Sequence, residues 1–247
     1  MKKKTVQNLI DKHKGKVGFV VGAGPSLRHL SQEDVEIMGQ GIVFAVNSAL
    51  PKVPFADYFI ADDIGVKNWR YYSQLLPMLD THALLYENKL GDHANHLPED
   101  RITWFKHKWW FDPKNKSYNP DGLAMTKGGP IIGARTTAGS AVHFAYLMGC
   151  DPIVLLGCDC CYEGMKRYYW QFDGEKKCKR TTGEPVFSMP NRGIHRDKPV
   201  DAHCMSFLDY WEALAKQADA QGIKIYDASE GILDCFEKIN MGELDVL

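Results

Sequence analysis

The sequence has no apolar run near the roughly 18–20 residues that a membrane-crossing helix requires, so no membrane span is expected. Met1-Lys-Lys-Lys4 has the charge of a signal n-region, but no apolar segment follows it, and a cytoplasmic location is expected. Net charge is nearly absent: 30 Lys+Arg against 31 Asp+Glu leave −1, which removes any global bias toward nucleic acid or an anionic membrane. Seven cysteines is an odd count with no regular framework, which favours reduced thiols over a disulfide scaffold. There is no internal repeat and no low-complexity tract. There is also no Asp-x-Asp of the kind that holds Mg²⁺ in many nucleotide-sugar enzymes, so no metal site is assigned.

What is present suits one elaborated domain: 247 residues with 45 % hydrophobic content can bury a full core. Residues 17–21 are a short apolar, β-branched run, as expected of a strand buried on both faces. Gly22-Ala23-Gly24-Pro25-Ser26-Leu27 breaks it. Two glycines permit a tight turn and a close backbone approach, and Pro25 suits the first turn of a following helix. The positive end of that helix would favour an anion, so a bulky residue at Gly24 is expected to block a ligand while sparing the fold. The pattern is not a G-x-G-x-x-G dinucleotide fingerprint, because Leu27 stands at the third glycine position.

Taken in order, Ser31 with Asp34 reads as a helix start. Strands are expected at 42–46, ending at Asn47, and at 57–61, ending at Asp62 and Asp63. Asn47 is either a turn former or an amide for base, ribose or phosphate. The two carboxylates suit a ribose, a metal, an acceptor or a helix cap. A helix begins near Trp69, and strands follow at 82–86 and 102–106. Residues 107–134 are an irregular insertion with adjacent tryptophans, suited to stacking a sugar or base or to covering a sheet edge. Lys106, Lys108, Lys114 and Lys116, at and just before it, could form a local basic patch that keeps a nucleic-acid acceptor open. Thr136, Thr137, Gly139 and Ser140 lead into an apolar helix over 141–148. A strand over 151–156 ends in Gly157-Cys158-Asp159-Cys160-Cys161-Tyr162, whose cysteines read as small hydrophobes continuing a buried strand. Residues 163–202 are a candidate lid anchored by Tyr168, Trp170 and Phe187. A helix at 205–220, a strand at 223–226 and a final helix at 231–239 complete the chain.

Gly22-x-Gly24-Pro25-Ser26-Leu27 after the first strand, then Ala45-Val46-Asn47-Ser48, resembles two related groups. One is the bacterial lipo-oligosaccharide sialyltransferases, which use CMP-sugars. The other is the 6-hydroxymethylpterin diphosphokinase-like family, which includes the motility-associated-factor glycosyltransferases. The resemblance continues through Thr136-Thr137-Ala138-Gly139 and residues 141–162. It implies an α/β, Rossmann-like, mostly parallel sheet with helices on both faces and a lid over the strand C-termini. It also implies donor contacts at Asn47 and Asp159. Tyr162 and Tyr168, with the spacing of two sialyltransferase tyrosines, are implied to bond the leaving phosphate. His203 is implied as the base, just before the long helix, with His195 as its alternative.

The expectation is a glycosyltransferase moving a sugar from a CMP- or other NDP-sugar to a hydroxyl on a glycan, protein, small molecule or nucleic acid. The donor would lie on Gly22, Ala23, Gly24, Pro25, Ser26, Asn47, Asp63, Thr136, Thr137, Gly139 and Asp159. No cofactor is required in this reading. The alternatives are a diphosphokinase that transfers pyrophosphate from ATP with Mg²⁺, and a non-catalytic nucleotide-binding module. A homo-oligomer is compatible with either.

Overall fold

The computed structural model describes residues 5–109, 111–112, 117–118, 125–133, 136–181 and 193–246. The expected contributions of Trp110, Lys114, Lys116 and Phe187 lie outside them. The chain runs through β1 (Gly18–Val21), α1 (Gln32–Met38), β2 (Ile42–Val46), β3 (Tyr58–Ala61), β4 (His82–Tyr86), α2 (Glu87–Leu90) and β5 (Ile102–Phe105). The insertion carries β6 (His107–Trp109), β7 (Phe111–Asp112), β8 (Ser117–Tyr118) and β9 (Ile131–Gly133). Then come α3 (Thr137–Leu147), β10 (Ile153–Leu156), α4 (Trp170–Asp173), β11 (Gly193–His195), β12 (Lys198–Val200), α5 (Ala202–Ala220), β13 (Ile225–Asp227) and β14 (Glu237–Lys238).

Eight strands form one sheet in the order β14-β13-β10-β1-β2-β3-β4-β5, and every described pairing in it is parallel. Alternate residues of each strand feed opposite faces. Val20, Phe44 and Ile60 pack with α3 and α5, while Phe19, Val43 and Phe59 pack with α1 and the turns at 64–78. Both faces are therefore covered, and the strands read as continuous apolar runs. The α/β expectation holds, with its lid segment crossing the C-terminal ends.

Four expectations need correction. The helix expected to open at Pro25 is a 3-10 turn, Pro25–His29. The helix expected from 141 begins at Thr137, so the hydroxyl block lies within its first turn. The helix expected from 205 begins at Ala202, so His203 is inside it and not before it. Residues 231–239 form no helix. The Ile232 N–H donates to the Asp159 carbonyl (2.9 Å), the Ile239 N–H donates to the Asp227 carbonyl (3.2 Å), and β14 extends the sheet. Backbone groups spent on neighbouring segments are not available for a helical ladder. Ser31 behaves as expected, accepting from the Asp34 N–H while Asp34 returns a bond to the Ser31 N–H.

His143 ties the insertion to α3. Its Nδ1 accepts from the Ile132 N–H (2.9 Å) and its Nε2 donates to the Thr126 carbonyl (3.3 Å), which requires the neutral ring. Burial pushes this imidazole down to about 4, against a smaller upward pull from the Thr126 carbonyl. The unfolded chain takes up this proton near pH 6.5 and the folded chain only near 4, so the stability it secures is present above 6.5 and lost as pH falls. Urea unfolding at pH 7 and pH 5 should show a loss of about 2 kcal/mol from this group. His143→Leu should remove that component of the pH slope. Equal slopes in both proteins would contradict the assignment.

Candidate functional site

Sequential order reverses between β1 and β10, and in a parallel sheet that switch point opens a crevice at the strand C-termini. A cavity of about 680 Å³ lies there. The turns after β1 and β10 form its floor, with Gly22, Ala23 and Gly24 facing Gly157, Cys158 and Asp159. The Gly22 N–H donates to the Leu156 carbonyl (2.7 Å) and the Gly24 N–H to the Gly157 carbonyl (2.8 Å). A Cβ on Gly22 would stand 2.5 Å from the Gly157 oxygen, and one on Gly24 2.7 Å from the same atom and within the Asp159 carboxylate. The glycines permit this close approach of two strands.

The Ser26 N–H donates to Asp159 Oδ2 (2.9 Å). One amide of the turn is thus already bonded to an internal carboxylate. Burial raises the Asp159 carboxyl above the usual range, opposed by its bonds from Ser26. Its Oδ1 is buried without a hydrogen-bond partner among the described residues.

The second wall comes from the ends of β2 and β3 and the start of α3. Asn47 adopts φ +49°, a left-handed conformation that asparagine tolerates. Its Nδ2 donates to Thr137 Oγ1 (3.2 Å), and the Thr137 hydroxyl donates to Asp62 Oδ1. Asp62 also accepts from Ser140 (3.4 Å) and lies 3.5 Å from His107 Nε2. The direction of this relay is fixed, because a carboxylate only accepts and the single Thr137 proton is committed to it. The amide therefore turns its NH₂ to Thr137, and its Oδ1 is left without a bond among the described residues. Asp63 accepts from the Gly65 N–H (3.0 Å) as a cap, and also lines the cavity.

The lid supplies the roof. Tyr169 and Trp170 are buried, the Tyr169 N–H donates to the Ala23 carbonyl (3.1 Å), and Trp170 Nε1 donates to Ser48 Oγ (3.2 Å). Tyr168 stacks on Trp170 with centroids 5.4 Å apart. A two-pronged Arg28–Glu163 pair fastens the lid's start to the turn after β1. This part of the lid is anchored in the core.

Of the expected donor residues, Gly22, Ala23, Gly24, Asn47, Asp63, Thr136, Thr137 and Asp159 line the cavity. Pro25 and Ser26 sit behind the floor, and Gly139 faces the Tyr210 ring of α5, where a Cβ would clash. Tyr168 lines the cavity. Tyr162 does not: it is buried and donates to Asp201 Oδ2 (2.8 Å). His195 lies on the β11–β12 hairpin, whose residues are not part of the lining. His203 sits in the first turn of α5, beside the cavity-lining Cys204. Burial pushes the thiols of Cys161 and Cys204 up to about 12 and about 11, so neither is a nucleophile at neutral pH. Sequence reasoning missed Lys89, Arg167 and Arg180, gave Trp69 only as the start of a helix and gave Trp170 only as a lid anchor. Arg167 was marked in one respect, since it lies between the two tyrosines singled out by spacing.

A family model described as 6-hydroxymethylpterin diphosphokinase MptE-like matches residues 1–165. The chain belongs to that family. Among solved structures the MptE-like chain is similar to the MAf glycosyltransferase from Magnetospirillum magneticum AMB-1, at TM-score 0.51 and 10 % identity. The likeness covers 98 % of this chain and 39 % of that one, so the chain spans well under half of the longer protein, and the likeness is one of fold. A search of curated proteins yields no match. Among the described residues, no helix of the MptE-like chain is long and apolar enough to cross a membrane.

The floor gives a direct test. Gly24→Ala should cost about 1–3 kcal/mol in urea unfolding, since its methyl meets backbone and a buried carboxylate. Gly65→Ala, whose added Cβ has ordinary space at 3.4 Å, should cost less. A Gly24→Ala protein as stable as the wild type would contradict this packing and restore the view of the turn as an open cradle.

Proposed function

We propose that the chain is a transferase acting on a nucleotide-activated donor, by glycosyl transfer from a CMP- or other NDP-sugar to a hydroxyl acceptor. One observation carries this reading: a single cavity at the switch point joins aromatic rings, arginines and unsatisfied acceptors. Rings such as Trp69 and Tyr168 suit stacking of a base or sugar. Cations beside them suit a leaving phosphate, whose charge grows in the transition state. Acceptors such as Asn47 Oδ1 suit ribose or sugar hydroxyls. We assign the acceptor's proton to His203, in the α5 turn that borders the cavity. His203→Ala should lower kcat by about 10²–10⁴-fold with little change in donor affinity. A near-normal rate would move the role to a carboxylate such as Asp63 or Asp159.

The family match favours a second reading, pyrophosphoryl transfer from ATP to a pterin alcohol. In that reading Mg²⁺ would lie near Asp62, Asp63 or Asp159, the carboxylates that line the cavity, and would neutralise the phosphates there.

A thermal-shift screen of CMP, UDP, GDP and ATP, each with Mg²⁺ and with EDTA, separates the readings. At about 100 times its Kd a bound nucleotide adds about 2.7 kcal/mol. Glycosyl transfer predicts stabilisation by a nucleotide that survives EDTA. Stabilisation by ATP only with Mg²⁺ supports the diphosphokinase, and no response to any of the four contradicts both.

A further inference from the structure

The cavity lining brings carboxylates and cations together. The wall at the ends of β2 and β3 carries the acceptors Asp62, Asp63 and Asn47 Oδ1, and the floor carries Asp159. Of the three lining cations, Arg167 and Arg180 come from the lid segment, and Lys89 comes from α2 after β4. We propose that the anionic group of the ligand, a phosphate or diphosphate, is held at Arg167 beneath the lid and not at the glycine turn after β1. This rests on the nucleotide-donor reading above.

Two independent observations lead there. The Gly22, Gly24 and Ser26 N–H groups of the glycine turn are spent on Leu156, Gly157 and Asp159, and a ligand oxyanion there would meet the Asp159 carboxylate at close range. Arg167, by contrast, is presented and unspent. Its own N–H and that of Tyr168 both donate to Gln171 Oε1 (2.7 and 2.9 Å), which fixes the turn that carries it. Its guanidinium lies 5.5 Å from the Tyr168 ring centroid and 5.9 Å from that of Tyr162. None of the ion pairs among the described residues involves it. Asp201, the carboxylate acting on it electrostatically, has its oxygens taken by the Tyr162 hydroxyl (2.8 Å) and the Cys204 N–H (2.7 Å). A half-buried guanidinium that is in no ion pair among the described residues offers a planar fork that matches phosphate oxygens. The neighbouring Lys166 differs: its ammonium lies 4.2 Å from the Phe172 centroid, outside the cavity lining.

Titration calorimetry with inorganic pyrophosphate tests this on the whole chain. Arg167→Gln should weaken binding tenfold or more. Arg167→Lys keeps the charge without the fork and should weaken it several-fold. Lys166→Gln, with the same charge loss one residue away, should bind as the wild type does. Thermal unfolding without ligand checks each fold, and Arg167→Lys carries the test if Arg167→Gln does not fold. Wild-type affinity in both Arg167 variants, an equal loss in Lys166→Gln, or no pyrophosphate binding by the wild type would each overturn the proposal. If pyrophosphate binds through Arg167 while none of the four nucleotides stabilises the protein, the donor reading falls and the anion subsite stands. If a nucleotide and pyrophosphate both bind Arg167→Gln unchanged, the subsite falls and the donor reading stands.

Discussion

Three hydrogen bonds at the ends of two neighbouring strands organise everything above the sheet. Gly22 N–H to Leu156, Gly24 N–H to Gly157 and Ser26 N–H to Asp159 hold the turns after β1 and β10 together. Glycine is required because a Cβ would reach backbone on the other turn. The seam seals the floor of the crevice and sends the chain outward on both sides of it. It also spends the Ser26 N–H, at the start of the 3-10 turn, on an internal carboxylate. The cationic side chains of the cavity come from other segments.

Arg167 and Arg180 arrive on the lid, and the lid is held by packing. Trp170 enters the core formed on the face of α1 and reaches Ser48; Tyr169 bonds back to Ala23; Arg28 grips Glu163 from the turn after β1. Each contact joins the roof to the floor or to the end of β2. The sheet edge opposite carries a relay, Asn47 to Thr137 to Asp62, whose direction follows from proton counting and leaves an acceptor unsatisfied. Function and fold thus share the same residues: the groups that close the cavity also set its polarity.

The sheet was legible because its central strands are buried on both faces and appear as unbroken apolar runs. Residues 42–46 and 82–86 match the observed strands residue for residue. The Ser31 cap was legible because it is local. What failed depended on long-range partners. Residues 231–239 carry a helix-compatible composition, but Gly231 and Ile232 dock on the Asp159 backbone. The glycine turn resembled a phosphate cradle because Asp159, 133 residues from Ser26, gives no local sign that it accepts the Ser26 N–H. Tyr162 and Tyr168 share a spacing, but only Tyr168 reaches the cavity, since Tyr162 is drawn to Asp201. Arg180 carries no pattern that a sequence reading could use.

The central claim is that this cavity takes a nucleotide with its base or sugar among the lid aromatics and its phosphate away from the glycine turn. A crystal structure of the chain soaked with the nucleotide that best stabilises it tests this most directly. The account predicts phosphate density against the Arg167 guanidinium, with the Ser26 N–H still bonded to Asp159. Phosphate density on the Ser26 and Gly24 amides, with Asp159 displaced, would contradict it.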